Sequence, residues 1–501
     1  MKKTFTKTSI KIASLLLALL LGFTTVIGST AFASNSGEPY DSYNYDYWGY
    51  IHYTPAPYSV SGTIRGTDFT YNGESIGAFS TPQDFCKDNE GNVYIADTGN
   101  SRIVVLNPDM TKVVKIVSSF DNNGKADKFR KPYGVCVSSN NRLYIADTQN
   151  KRIVVLNNED DTLYQIIENP QSESFDASFS FSPLKVTVDY ADRVYCIAKN
   201  MFEGIMVFET DGKFSTFFGT IKVTISLWEK FWRRIATKEE RSNQKLFIAT
   251  EFTGLDIDPD GFVYATNIDA TGIQGVRRLN PSGQDVIKKG ENENLGGDLR
   301  IDGTTDYAGA SQFVDLVYRN DGIYSCLDKK RGRIFTYDHE GNLLYIFGGL
   351  GTQIGSFKLP VAIENIGDKI LILDATRAQI TVFNVTEYGD LINRAVALRY
   401  DGDETQAVAL WERVLELDED NELANIGIGK AYLSSGDYEQ AMKYLKIGEN
   451  KDYYSIAFKR YRNRILVEYI GYVLTAVAVL IVAGLVWKRY KKKRKGATEN
   501  E

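Results

Sequence analysis

Two histidines stand in the whole chain of 501 residues, His52 and His339, far apart and each beside turn-forming residues. A three-histidine zinc site is therefore excluded, and a Ser-His-Asp relay would have to be built on one of these two. Four cysteines, Cys86, Cys136, Cys196 and Cys326, sit singly in apolar stretches with no Cys-x-x-Cys. That pattern reads as buried free thiols; a Cys86–Cys136 bridge stays open because both occupy the same place in a sequence repeat. "DIDPDG" at Asp256–Gly261 has the carboxylate spacing of a calcium loop, but the twelfth position is Asn267 rather than a bidentate Glu, so a hairpin turn is expected. No catalytic residue, metal ligand or cofactor site emerges, and the chain reads as a non-enzyme.

The elements that position these residues come from a repeat. "YIADTGNSRIVVLN" (Tyr94–Asn107) returns as "YIADTQNKRIVVLN" (Tyr144–Asn157), and four looser copies begin at Ser182, Phe252, Gln312 and Lys358. Each copy alternates apolar and polar residues in short runs separated by Asn-Gly or Asp-Gly turns, the pattern of successive antiparallel hairpins. Six such sheets arranged around an axis give an all-β propeller. The last copy stops after its third strand, at "AQITVFN". Its fourth is expected from Asp68–Phe79, whose sequence imitates Ile334–Phe347. Asp97 and Asp147 end a strand where a carboxylate can take up the N–H groups of the next turn, and Arg102 and Arg152 can pair with them. Asp328, Arg333 and Asp374 take these places in later copies; in the third copy the position falls near Ala198 or Lys199, and in the fourth near Asn267. These are structural residues, not catalytic ones.

The proline, strand, Asn-Gly turn and "YIADTxNxRIVVLN" together resemble the NHL repeat, a six-bladed propeller family, over residues 67–385. The resemblance implies binding of a protein or small molecule. Some six-bladed relatives are lyases or lactonases that use a central metal held by His, Glu, Asp or Asn, so a metal-dependent enzyme with carboxylate ligands in the channel is the alternative expectation. The histidine ligands of that chemistry are not available here.

After the ring the period changes. Residues 386–464 read as helical, Gly402 to Gly436 and Ala407 to Ala441 each span thirty-four residues, and "AYLSSGDYEQAMKYL" resembles the tetratricopeptide repeat (TPR), in about two copies. Two copies bury little by themselves, so the pair is expected to dock on the propeller or on the following helix.

Both ends address a membrane. Residues 1–33 have the charged start, apolar run and Ala-Phe-Ala cleavage site of a signal peptide, followed by a tyrosine-rich segment at 34–66. Residues 465–487 hold an uncharged run from Tyr469 to Trp487, nineteen residues and long enough to span a bilayer, and seven basic residues open the tail at 488–501. The expected topology is single-pass, type I, in the cell membrane, with the tail cytoplasmic and the propeller and helical repeats extracellular. With its leader at +4 and its tail at +5 in a chain of −6, the part between carries −15. Such a charge excludes nucleic acid as a bulk-charge partner.

Two long additions between blades, Thr220–Gln244 and Glu291–Ser311, decorate one face. In the first, Trp228, Phe231, Trp232 and Ile235 follow helical spacing with Arg233 and Arg234 beside them, a candidate contact for a partner or membrane. The tyrosines of Tyr40–Tyr58 could stack on a sugar, but their alternation suits an added strand on a sheet edge. The function expected is recognition or scaffolding of a protein partner, or of a small ligand or glycan, as an accessory to a transport or sensing system.

Overall fold

The computed structural model describes residues 37–170, 175, 179–220, 251–268, 275–289, 297–298 and 309–498. The signal peptide and the Trp228, Phe231, Trp232, Arg233, Arg234 and Ile235 stretch lie outside the described residues.

Six antiparallel sheets form a propeller. Blade 1 is Asp84–Lys87, Val93–Asp97, Arg102–Leu106 and Val113–Val117; blade 2 is Val135–Val137, Arg142–Asp147, Arg152–Asn157 and Leu163–Ile167. Blade 3 is Pro183–Val188, Val194–Ala198, Ile205–Phe208 and Phe214–Phe218, and blade 4 shows three strands among the described residues, Phe252–Ile257, Val263–Asn267 and Val276–Leu279. Blade 5 is Phe313–Asn320, Ile323–Asp328, Arg333–Tyr337 and Leu343–Phe347. Blade 6 is Pro360–Ile366, Lys369–Asp374 and Gln379–Val385. Second strands such as Val93–Asp97 are buried throughout, as sheets covered on both faces by neighbouring blades require. A β-bulge recurs where the third strand meets the fourth, at Val105/Leu106, Val155/Leu156, Val207/Phe208 and Thr336/Tyr337, adding twist at the blade's outer edge.

The ring is closed from the N-terminal side, but not by Asp68–Phe79. Tyr58–Arg65 is the fourth strand of blade 6, pairing from Tyr58↔Val385 to Arg65↔Gln379. The expected segment instead makes a two-residue hairpin, Thr70–Tyr71 against Glu74–Ser75. Its Asn72-Gly73 pair has positive φ at both residues, 52° and 84°. A turn of that kind closes the chain back on itself before a long strand can form.

The tyrosine-rich segment adds strands to a sheet edge. Tyr43–Tyr45 pairs with Leu343–Phe347 through Tyr43↔Ile346 and with Ile51–Tyr53, so blade 5 becomes six-stranded.

Five helices follow: α1 (Glu387–Tyr400), α2 (Glu404–Leu417), α3 (Glu422–Ser435), α4 (Tyr438–Ile447) and α5 (Lys451–Thr498). Thr386, Asp403, Asn421 and Asp437 cap the first four, each side chain accepting a first-turn N–H. The helices dock on blades 5 and 6 through one shared core, in which Trp411, Tyr388, Ile392 and Ile428 pack with Tyr58, Ile323, Tyr345 and Phe383. Helix α5 is continuous for 48 residues, about 72 Å at the α-helical rise. It is long and apolar enough to cross a membrane, and its apolar stretch is exposed.

Candidate functional site

The repeat carboxylates are built into the turns. Asp97 and Asp147 are fully buried; their Oδ1 atoms accept the backbone N–H of Ser80 and Arg130 at 2.7 Å, in the connection entering the same blade. Their Oδ2 atoms accept from Arg102 and Arg152 Nε at 2.8 and 2.9 Å, and from Asn100 and Asn150 at 2.8 Å. Asp328 likewise accepts from the N–H of Gln312, and Asp374 from that of Lys358. Arg333 departs from the pattern: its guanidinium lies over the Tyr43 ring, 4.5 Å from the centroid, with Nε 3.7 Å from Asp298. Ala198 takes the carboxylate position in blade 3 and Asn267 in blade 4, each opposite the first residue of its inner strand.

"DIDPDG" divides between two tasks. Asp258 is the turn residue, its Oδ1 accepting from Asp260 and Phe262 N–H and its Oδ2 from Arg278. Asp256 belongs to the inner strand and the channel.

The six inner strands meet around the axis. One layer is formed by Asp84, Gly134, Lys185, Gly254, Asp315 and Ala362, which hold equivalent places opposite the second strand. Charged residues therefore come from blades 1, 3 and 5, and small ones from blades 2, 4 and 6. Lys185 Nζ reaches Asp84 Oδ1 at 2.5 Å and Asp315 Oδ2 at 3.2 Å, bridging three blades that are not neighbours. Asp84 Oδ2 accepts the N–H of Val135, and Asp315 Oδ2 also accepts that of Ile363. The glycines are dictated by proximity. A Cβ on Gly134 would lie 2.4 Å from the Leu184 carbonyl oxygen, and one on Gly254 would lie 2.6 Å from Asp315 Cα. Burial pushes both carboxyls up, Asp315 to about 7, while Lys185 pulls them back. The lysine itself is held charged because the two carboxylates outweigh its desolvation. An ammonium thus occupies the space between the carboxylates where a divalent ion would have to sit, and these residues do not fit a catalytic metal.

The next layer, two residues further along each inner strand, holds Cys86, Cys136, Thr187, Asp256, Val317 and Glu364. Asp256 is pushed up to about 7 by burial and by repulsion from Glu364; its Oδ2 accepts the N–H of Tyr318 at 2.6 Å. Lys87 Nζ binds Glu364 at 3.0 Å and two oxygens of Asn365 at 2.8 Å. All four cysteines are free thiols. Burial pushes Cys136 up to about 12 and Cys86 well above the ordinary thiol range, which holds both as neutral thiols.

An open cleft of about 770 Å³ lies where the N-terminal hairpin, the edge of blade 5 and the helices converge. The hairpin contributes Asp46, Tyr47, Trp48, Ile51 and His52, and the loop from α2 into α3 contributes Asp418 to Glu422. His52 Nε2 sits 2.9 Å from Asp418 Oδ1, and Asp418 Oδ2 accepts from Tyr388 and Asn421. Glu422 Oε1 accepts the N–H of Tyr47 at 3.1 Å. Trp48 is 67% exposed and meets the Tyr47 ring edge-on at 5.1 Å. This cleft was not legible in the sequence, since its walls come from three distant segments. The available signal was the "DEDNE" run beside a helix cap, together with the tyrosine-rich hairpin.

The NHL repeat model matches residues 79–106 and 129–156, and a tetratricopeptide repeat model matches residues 398–453. No curated protein matches the chain. Among solved structures, virginiamycin B lyase from Staphylococcus aureus is 12% identical with TM-score 0.40, covering 66% of this chain and 100% of its own. The extracellular domain of a hybrid two-component system from B. thetaiotaomicron is 10% identical with TM-score 0.36, covering 68% of this chain and 39% of its own. Kuenenia stuttgartiensis hydrazine synthase is 10% identical with TM-score 0.38, covering 65% and 99%. The chain is a six-bladed β-propeller with NHL repeats, followed by a tetratricopeptide repeat and one helix long and apolar enough to span a membrane.

Proposed function

We propose that this protein is a non-enzymatic recognition or scaffold protein, held in the cell membrane by α5 with its propeller and helical repeats outside and its basic tail in the cytoplasm. The observation that carries the reading is the open cleft at the junction of propeller and helices, with Trp48 presented to solvent on its rim. Exposed aromatics beside a concave surface are characteristic of recognition sites. The channel favours the same reading, because its inner layer is cross-linked by Lys185 and offers no free carboxylate pair to a substrate. The leader sequence and the basic run after the apolar stretch support the orientation.

Crosslinking of tagged full-length protein in native membranes, followed by mass spectrometry, tests the proposal. Reproducible recovery of the same membrane or surface protein, lost with Trp48→Ala, is the expected result. Recovery of the protein alone, together with chelator-sensitive lactone hydrolysis by the purified chain, would overturn it.

A further inference from the structure

The cleft carries an imbalance of charge that specifies what it takes. Among the described residues, five carboxylates line it, Asp46, Asp418, Glu419, Asp420 and Glu422, against one lysine, Lys289. Asp418 is paired with His52. The other four form no ion pair among the described residues; Glu419 and Asp420 are exposed and Asp46 is half-buried. Glu422 is half-buried. Burial, then repulsion from Asp46 and Glu449, holds its carboxyl above the ordinary range. A cation entering the cleft would relieve that cost. Apolar surface lies beside the charge: Trp48 is 67% exposed, Ile51 47% and Ile447 53%. Aromatic and aliphatic faces next to carboxylates suit a long side chain with an apolar stem and a cationic head. The protein already makes such a contact at the rim, where Lys451 Nζ donates to the Tyr47 hydroxyl at 2.9 Å and lies 4.6 Å from that ring's centroid.

We propose that the cleft binds a lysine- or arginine-bearing segment of a partner protein, its cationic heads on Glu422 and Asp420 and its stems against Trp48 and Ile447. This assignment rests on the recognition function proposed for the same site and names the chemistry of the partner. Neutral sugars would use the aromatic rim but leave the carboxylates uncompensated. Acidic segments would be repelled.

The test uses full-length protein in detergent micelles and three fluorescent probes: a Gly-Lys-Gly-Arg-Gly-Lys peptide, the same peptide with glutamate at each basic position, and a neutral chitooligosaccharide. Saturable binding of the basic peptide is expected, weakened about tenfold or more by Glu422→Gln with Asp420→Asn, and by Trp48→Ala, with melting temperature unchanged. Binding should also fall steeply with added salt, and the acidic peptide should not bind. Basic-peptide binding that ignores all three substitutions would overturn the assignment. So would binding of the sugar alone, lost with Trp48→Ala, although the cleft would then remain a recognition site. Absence of binding to all three probes, with no crosslinked partner in membranes, would overturn the recognition reading as well.

Discussion

His52 Nε2 lies 2.9 Å from Asp418 Oδ1, joining the N-terminal hairpin to the loop between α2 and α3 across 366 residues of chain. Through this contact the segment that extends blade 5 also becomes one wall of the cleft. His52→Ala should free the hairpin while Tyr388 and Asn421 keep Asp418 in place. Hydrogen exchange should quicken at residues 51–53 and stay unchanged in α3; faster exchange in both would assign His52 to the helical core instead.

Lys185→Met should be among the most damaging single substitutions in the propeller, costing about 3–5 kcal/mol, because it leaves Asp84 and Asp315 buried without a counter-ion. The loss should shrink in acid, where the two carboxyls can take up protons. Thermal melts of the variant at pH 5 and pH 8 give the comparison, and an equal loss at both would contradict the role assigned to the lysine.

Asp256 makes the ring's stability depend on pH in a definite direction. Its carboxyl titrates near 7 in the fold and near 3.9 in an unfolded chain. The folded state therefore binds the proton more tightly, and the contribution is complete below about pH 4 and lost as pH rises through about 7. Urea unfolding should show a midpoint falling from about pH 4 to about pH 7 and levelling off above, with Asp256→Asn flattening the slope. An unaltered slope in the variant would place the effect elsewhere.

Glu340 ties the helices to the propeller. It accepts from the buried Arg399 of α1 and from Lys430 Nζ of α3 at 3.0 Å. Its carboxyl is lowered to about 2, burial being outweighed by these two cations. With the unfolded value near 4.3, its stabilisation is present above that pH and lost as pH falls toward 2. Glu340→Ala should cost about 3–5 kcal/mol by leaving two buried cations unpaired. It should loosen α3 in hydrogen exchange before the blades, and protection lost first in blade 1 would count against the docking role.

Much of the fold was legible because the repeat carries its own turn chemistry. Asp97, Asn100 and Arg102 return as Asp147, Asn150 and Arg152, and a local turn can be read from local sequence. The closing strand was misplaced because Asp68–Phe79 resembles Ile334–Phe347 in sequence, whereas strand identity was decided by pairing with Gln379–Val385 more than three hundred residues away. The Asp84, Lys185 and Asp315 layer was hidden for a related reason. Its members hold the same structural place in three diverged copies, and only the register puts them on one level. The cleft required tertiary contacts that no periodicity encodes, the pairing of Tyr43 with Ile346 among them.

Helix α5 keeps one last residue in the body, Ala457, and Arg464 Nη1 still reaches the Gly436 carbonyl oxygen at 3.4 Å, just before the apolar run. An unbroken helix has no swivel, so rotation of the propeller about that axis turns the basic end by the same angle. Angular phase then becomes a property of the whole chain. One residue inserted after Arg464 would twist the tail about 100° relative to the cleft, and four would leave it only about 40° out of phase.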